Sequence, residues 1–292
     1  MSVHIIKKTR LWFTISGLLI LIAIASLSFN TISRGRAMNF GIDFTGGTII
    51  NIRFNSPVSV SQVREVLSEY KLAESQIQKS GDQDIFIRTE PLETDVRQKM
   101  VAELSEKYGG AELLEADTIG PIIGSELRTQ AFYALFLASF LIIIYITFRF
   151  EFLNGLAAVL ALFHDAIITT GFMALFWRNI DVTFIAAILT ILGYSISDTI
   201  VIFDRVRENM KKPGASKMSF SDLVNKSIWE TMARSINTVL AVIVMVLSLL
   251  FFGGAALREF CLTLLVGFTC GAYSSIFIAA PLIVMWHKGK NK

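Results

Sequence analysis

Two aspartates lie inside apolar stretches that are long enough to cross a bilayer as helices. Asp198 falls within the run Val182–Phe203, and Asp165 follows His164 near the middle of another run. On insertion scales an aspartate near the centre of a spanning helix costs about 2.5–3.5 kcal/mol. Such a carboxylate normally faces the protein interior or a water-filled cavity, and it marks a candidate functional site.

An arginine supplies the opposite charge. Arg234 stands at the start of a later apolar run, followed by Ser235, Asn237 and Thr238. Burial in a low dielectric disfavours the ionised form of a carboxyl group, whereas a nearby guanidinium favours it. These opposing effects allow Asp198 to gain and lose a proton, and protonation changes its attraction to Arg234. We therefore predict a proton relay of Asp198, Arg234 and Asp165.

Each of these residues also has a purely structural interpretation. Asp198 and Arg234 would then be a fixed pair that holds two helices together, and Asp165 would bond to backbone or hydroxyl groups between helices. His164 would be a hydrogen-bonded core residue rather than a proton carrier. The variant Asp198→Asn separates the two interpretations, because a scaffold tolerates the loss of a titratable group.

Six apolar segments must position these residues. They are predicted as spanning helices at Leu11–Phe29, Ala131–Phe148, Leu153–Phe176, Val182–Phe203, Ile236–Phe252 and Phe260–Met285. Hydrophobic residues form 53% of the chain and charged residues only 17%, which favours a polytopic α-helical membrane protein. The first segment is predicted to be an uncleaved anchor, because its apolar run of about 19 residues is long for a signal peptide.

The insert between the first two segments has a different pattern. It alternates as β-α-β-β-α-β, with elements at Thr48–Phe54, Val60–Tyr70, Ser75–Lys79, Asp84–Arg88, Glu93–Tyr108 and Ala111–Thr118. This order predicts a ferredoxin-like α+β domain. The insert contains neither histidine nor cysteine, so it is interpreted as a contact domain. We predict that the protein is not an enzyme and has no catalytic residue, organic cofactor or metal. The sequence has no basic stripe with interleaved aromatics, so nucleic-acid binding is not predicted either.

Lysines and arginines set the predicted orientation. The loop 204–235 holds seven of them and the tail 287–292 three, whereas the opposite loops hold only Arg178 and Arg258. By the positive-inside rule, both termini and the loop 204–235 are cytoplasmic. The predicted division is residues 1–30 (N-terminus and first helix), 31–128 (extracytoplasmic domain), 129–286 (helices two to six) and 287–292 (tail). An amphipathic helix Phe220–Ala233, begun by an S-x-x-D cap, is predicted along the membrane surface.

Small residues predict close helix contacts. Gly267 and Gly271 form a G-x-x-x-G face in the last segment, a spacing that lets two helix backbones approach. Gly193 in the fourth segment is the predicted counterpart.

Five stretches complete the motif set. They are NFGIDFTGGT (Asn39–Thr48), TIGPIIGSEL (Thr118–Leu127), GYSISDTIVIFDRVREN (Gly193–Asn209), ETMARSINT (Glu230–Thr238) and GAYSSIFIA (Gly271–Ala279). Together they closely resemble the SecF branch of the SecD/SecF family, within the resistance-nodulation-division (RND) superfamily. The resemblance covers nearly the whole chain.

The resemblance implies a role and partners. It implies a six-helix RND-type subunit of the plasma (inner) membrane that pairs with a separate SecD in a pseudo-symmetric twelve-helix complex. The complex would use the proton-motive force to promote late preprotein translocation through the SecYEG channel, after SecA, with YajC and YidC as further candidate partners and membrane lipid around it. Asp198 and Arg234 match the family's proton-linked positions. Gly41, Asp43, Gly46 and Gly47 would couple the external domain to the membrane.

Two other functions stay open. One is a half-size RND-type proton-coupled transporter of lipids or small molecules, although an insert of about 90 residues is small for enclosing a substrate. The other is a structural scaffold without proton conduction.

Overall fold

The computed structural model describes residues 4–149, 152–254 and 256–290. Parts of three predicted regions lie outside these residues: the extreme N-terminus, the Arg149–Phe152 link at 150 and 151, and the tail at 291 and 292. The chain divides into two compact units. The helical unit comprises residues up to Asn39 together with those from Ala134 onward, and the sheet unit is Phe40–Tyr133.

The elements follow one another in chain order. They are α1 (Thr9–Arg34), β1 (Asn39–Phe40), α2 (Ile42–Thr45), β2 (Gly47–Phe54), α3 (Val60–Glu69), β3 (Gln76–Ser80), β4 (Asp84–Thr89), α4 (Thr94–Lys107), β5 (Ala111–Ile119), α5 (Pro121–Arg149), α6 (Phe152–Leu175), β6 (Asn179–Ile180), α7 (Val182–Met210), α8 (Phe220–Phe252), α9 (Arg258–Ser274) and α10 (Ala280–Lys290). Single 3₁₀ turns lie at Ile6–Lys8 and Ala215–Lys217, and a π-helical turn, Ser275–Ala279, joins α9 to α10.

Six helical segments of the described chain are long and apolar enough to cross a membrane. Each coincides with one of the predicted segments, although α6 ends at Leu175, one residue before the predicted Phe176. The prediction of a polytopic helical membrane protein is confirmed. The second begins at Pro121, ten residues before the predicted Ala131. Proline suits the first position of a helix, because its missing N–H has no partner there in any case.

The amphipathic surface helix is a correction. The prediction separated Phe220–Ala233 from a span starting at Ile236, but α8 is one unbroken helix of 33 residues. The sequence between its ends holds neither glycine nor proline, so nothing interrupts the backbone hydrogen bonds. Its first turns bury Leu223 and Val224 within the protein. The predicted cap is present: the Ser219 hydroxyl accepts from the Asp222 amide at 3.1 Å.

The sheet unit is built on four antiparallel strands in the order β3-β4-β2-β5. In β2, every second side chain is fully buried: Ile50, Ile52 and Phe54. They pack with Val63, Val66, Leu67, Ile85, Ile87, Met100 and Leu104. The core therefore lies on the sheet face that α3 and α4 cover. On the exposed side, the Arg53 guanidinium bonded to Asp84 at 2.7 Å holds the pKa of that carboxyl below its usual value.

Within the helical unit, three segments are central and three peripheral. About half of each apolar window is buried in α6 (56%), in α7 (50%) and in the segment from α9 through α10 (56%). The windows of α1 and α8 are 17% buried, and that of α5 is 6% buried. Polar side chains on α6, α7 and α9 are thus brought together in the interior, away from lipid.

Candidate functional site

Asp165 lies at the centre of the helical unit with no exposed surface. Its Oδ2 accepts hydrogen bonds from Ser195 on α7 at 2.6 Å and from Ser274 on α9 at 2.7 Å. Its Oδ1 is 3.0 Å from Nδ1 of His164, its neighbour on α6. One carboxyl group therefore joins three helices.

The network continues from His164 to α1. His164 Nε2 is 3.1 Å from the Ser16 hydroxyl. Ser16 donates to the Tyr273 hydroxyl at 3.2 Å, and Tyr273 donates to the backbone carbonyl of Trp12 at 2.9 Å. The chain of hydrogen bonds thus ends on a group that can only accept.

The direction of these bonds fixes where one proton must be. Tyr273 uses its single proton on a carbonyl and Ser16 uses its own on Tyr273, so His164 must donate from Nε2. Asp165 Oδ1 and His164 Nδ1 are 3.0 Å apart. A hydrogen bond between these two atoms then requires one further proton. The pair is either imidazolium with carboxylate or imidazole with carboxylic acid. In both forms it is neutral overall and holds one transferable proton.

Asp198 is bonded less completely. It lies on α7 with 8% of its surface exposed, and its Oδ1 accepts from Ser235 on α8 at 2.6 Å. Its buried Oδ2 has no donor at hydrogen-bond distance within the described ranges, although the Ser275 hydroxyl is near enough to act on the carboxyl group. A buried carboxylate oxygen without a donor is costly. This oxygen is consequently the place in the site where a proton or a new donor would be stabilised most.

Arg234 does not form the fixed ion pair with Asp198 that the purely structural interpretation requires. Its side chain is exposed, and no ion pair joins it to Asp198 in the described chain, although its charge acts on Asp198 through space. Successive helical residues point about 100° apart. Thr231, Ser235 and Val239 form the buried face of α8, so Arg234 points away from it.

The helix interrupted by the π turn contributes hydroxyl groups that the sequence analysis missed. Ser274 precedes the turn and bonds Asp165, whereas Ser275 begins it and lies 2.9 Å from Thr199 Oγ1 on α7. Single π turns inside α-helices are frequent at functional sites. The sequence signal for these groups is a pair of adjacent serines within an apolar span.

The glycines of α9 face α7, but not where predicted. A methyl group on Gly271 would be 3.0 Å from Ser195 Cβ, and one on Gly267 would overlap the Ile191 side chain. Gly193, the predicted counterpart, is exposed and has no heavy atom near its would-be Cβ. Ile191 and Ser195 are four residues apart and share a face, whereas Gly193 lies on the other side of the helix.

The glycine-rich coupling motif has a well-defined geometry in the sheet unit. Gly41 immediately precedes α2, and Asp43 lies within it. After α2, Gly46 has a φ angle of +73° and Gly47 one of +143°. A side chain on Gly46 would lie 2.9 Å from Pro121 Cα. A side chain on Gly124, a residue that the sequence analysis did not single out, would have its Cβ atom 2.8 Å from the backbone nitrogen of Gly46. The two soluble signatures, Asn39–Thr48 and Thr118–Leu127, therefore pack backbone against backbone.

The described ranges contain no group of three or more His, Cys, Asp or Glu side chains that could hold a metal ion. Cys261 and Cys270 are both unpaired thiols on α9.

Comparison with known proteins gives consistent results along the chain. The family described as protein export membrane protein SecD/SecF, C-terminal, matches residues 99–289. The SecD/SecF GG motif matches residues 35–58. A protein translocase subunit SecF of Sebaldella termitidis is 41% identical over 100% of this chain and 94% of its own length. Another, from Desulfurispirillum indicum, is 42% identical over 91% and 87%.

Solved structures agree with this assignment. The crystal structure of SecDF, a translocon-associated membrane protein from Thermus thermophilus, matches with a TM-score of 0.86 and 35% identity. The match covers 98% of this chain and 38% of that one, so the chain spans about two fifths of SecDF. A second structure, SecDF in a super-membrane-facing form, matches with a TM-score of 0.69 and 34% identity. The chain belongs to the SecD/SecF family of protein-export membrane proteins.

Proposed function

We propose that this protein is a subunit of the Sec protein-export machinery. With SecD it would use the proton-motive force to promote late steps of preprotein translocation through the SecYEG channel. The observation that carries the proposal is the buried Asp198 carboxylate, which has one oxygen bonded to Ser235 and the other without a donor in the described chain. Moving one charge through the membrane potential supplies about 2.3 kcal/mol per 100 mV.

Asp198, Arg234 and Asp165 have different proposed parts in the relay. Asp198 is the group that changes its protonation, and Arg234 responds by approaching or leaving it. The His164–Asp165 pair holds a second proton. Ser195 links the two sites, because it donates to Asp165 and lies three residues before Asp198 on α7, about 4.5 Å along the axis.

The exposed face formed by α7 and α8 supports a helical partner. It carries polar or small residues at Gly193, Ser197, Arg234, Asn237 and Thr238. Polar side chains in spanning helices generally face protein or water rather than lipid. We assign this face to SecD, in keeping with the likeness to SecDF. SecYEG, SecA, YajC and YidC remain proposed partners on the strength of the family resemblance.

The proposed topology places residues 31–128 outside the plasma membrane and both termini in the cytoplasm. The antiparallel strand order β3-β4-β2-β5 and the element order β-α-β-β-α-β support a ferredoxin-like fold for the external domain. The backbone contacts of Gly46 with Pro121 and Gly124 support a coupling role, because they tie the entry of the domain to its exit.

The test is secretion of a reporter preprotein in cells that carry Asp198→Asn as their only copy. Asparagine keeps the shape of the side chain and cannot exchange a proton, so we expect precursor to accumulate as in cells lacking the protein. Glu208→Gln is the matched control: it makes the same chemical change on the same helix at an exposed, ion-paired site, where the expected effect is small.

Membrane levels of each variant are measured alongside secretion. Normal secretion by Asp198→Asn at a normal protein level would remove the proton role of this residue and favour a scaffold. If secretion is normal but export of a lipid or small molecule fails, the RND-type transporter is the better account. Co-purification with SecD and SecY separates the same two possibilities independently.

A further inference from the structure

A cavity of about 640 Å³ lies where five helices of the helical unit meet at one end. It is enclosed by the last residues of α5, α7 and α10 and by the first residues of α6 and α8. By the parity of six spans, these helix ends lie on the same side of the membrane as the N-terminal end of α1. The volume is within the range of about 300–1,000 Å³ that is typical of ligand sites.

The polar part of the cavity is basic. Arg149, Arg207 and Lys211 line it. Asp204 bonds both arginines, at 3.2 Å and 2.9 Å. Lys211 is exposed and forms no ion pair with another residue of the described chain. Arg207 and Lys211 thus bring positive charge to the cavity, beside which Asn154 and His287 offer further hydrogen-bonding groups.

The rest of the lining is apolar. It consists of Leu153, Phe203, Val206, Met210, Phe220 and Ile283. A site for a free phosphate or an acidic peptide does not need such a wall, whereas a lipid presents a phosphate and acyl chains within a few ångströms of each other. The position suits a lipid as well, because the cavity opens where apolar spanning segments end in charged residues.

We propose that this cavity binds the headgroup phosphate of an anionic phospholipid. Arg207 and Lys211 contact the phosphate, and the apolar wall receives the first carbons of an acyl chain. Basic pockets between spanning helices on the cytoplasmic side bind anionic headgroups in other membrane proteins. The inference is independent of the export role, since it needs only a chain inserted in a membrane.

The experiment is native mass spectrometry of the full chain in detergent, titrated separately with phosphatidylglycerol and phosphatidylcholine. We expect tighter binding of phosphatidylglycerol. The double variant Arg207→Gln/Lys211→Gln should weaken it about 30-fold, or about fivefold per cation removed. Lys217→Gln, an exposed lysine on the same loop but outside the cavity, should leave it unchanged. An unchanged thermal unfolding midpoint shows that the double variant is folded.

Each other outcome counts against the proposal. Equal binding of the two lipids, or equal weakening by Lys217→Gln, would mean that only general surface charge attracts the lipid. Competition by millimolar inorganic phosphate would identify a free-phosphate site instead of a lipid site. If the double variant is misfolded, Lys211→Gln alone is tested, and a loss smaller than about twofold would overturn the assignment.

Discussion

Asp165 and Asp198 are both buried aspartates, but their oxygens are used differently. Asp165 has a partner for each oxygen, and two serines and a histidine hold it in one orientation. Asp198 has a single hydroxyl partner on one oxygen. A fully bonded carboxyl group resists rearrangement, whereas a half-bonded one can change partners at lower cost. At the scale of residues, Asp198 is thus the better candidate for a side chain that moves, whereas Asp165 keeps one orientation.

Asp165→Asn tests the proton that the hydrogen-bond directions require. The amide oxygen can accept from Ser195 and Ser274 while the amide N–H₂ donates to His164 Nδ1, so every partner stays satisfied. We expect an unchanged unfolding midpoint for the purified chain. Asp165→Leu leaves the hydrogen-bonding groups of Ser195, Ser274 and His164 unpaired. It should lower the free energy of unfolding by about 1–3 kcal/mol for each group left unpaired.

Secretion then separates a joint from a proton carrier. A carrier loses export activity in Asp165→Asn at a normal protein level, and this is the result we expect from the proposed relay. Full secretion with full stability would restrict Asp165 to holding α6, α7 and α9 together. A large loss of stability in Asp165→Asn would contradict the deduced donor directions themselves.

At the scale of elements, α1 and α6 approach each other closely at Gly171. A methyl group on Gly171 would lie 2.6 Å from the Ala23 Cα atom and 2.1 Å from its Cβ atom. Backbone atoms cannot move aside as a flexible side chain can. The two helices can therefore touch at this depth only if residue 171 is glycine, and this contact holds Ser16 of α1 near His164 of α6.

Gly171→Ala should lower the stability of the purified chain by about 1–3 kcal/mol, the usual cost of overpacking. Gly193→Ala is the matched control on α7, where no heavy atom lies within 4 Å of the added methyl group. Alanine there should be neutral or stabilising by up to about 1 kcal/mol, because it favours the helix over glycine. Thermal unfolding in detergent measures both. Equal destabilisation by the two changes would contradict the packing described for Gly193.

At the scale of the whole molecule, the basic residues are concentrated at helix ends that lie on the same side of the membrane. The basic loop after α7, the start of α8 and the end of α10 all lie on one membrane face by the parity of six spans. That arrangement supports cytoplasmic termini and an external sheet unit.

Thiol labelling in intact cells tests this orientation. In a variant without Cys261 and Cys270, Glu74→Cys in the sheet unit should react with a membrane-impermeant maleimide. Lys217→Cys should react only after the cells are permeabilised. Both positions are exposed, so accessibility to the reagent depends on the membrane alone. The reverse pattern would invert the topology and place the basic cavity outside.

The sequence by itself determined the six spanning segments and the cap at Ser219, and it identified Asp165 and Asp198 as candidate site residues. These features are local: an apolar run, a hydroxyl three residues before an amide, or a charge within an apolar run is visible without knowing the fold. The motifs also sufficed to indicate the family.

Only the tertiary structure decided which groups meet. Ser274 is 109 residues from Asp165, and Ser235 is 37 from Asp198. Helical periodicity describes the faces of one helix, but the pairing of faces depends on how all the helices pack. For this reason Ser235 rather than Arg234 contacts Asp198, and Gly271 meets Ser195 rather than Gly193. The tertiary structure likewise decided where the first turns of α8 lie. Leu223 and Val224 are buried within the protein, and amphipathic periodicity alone could not distinguish this from burial in a membrane surface.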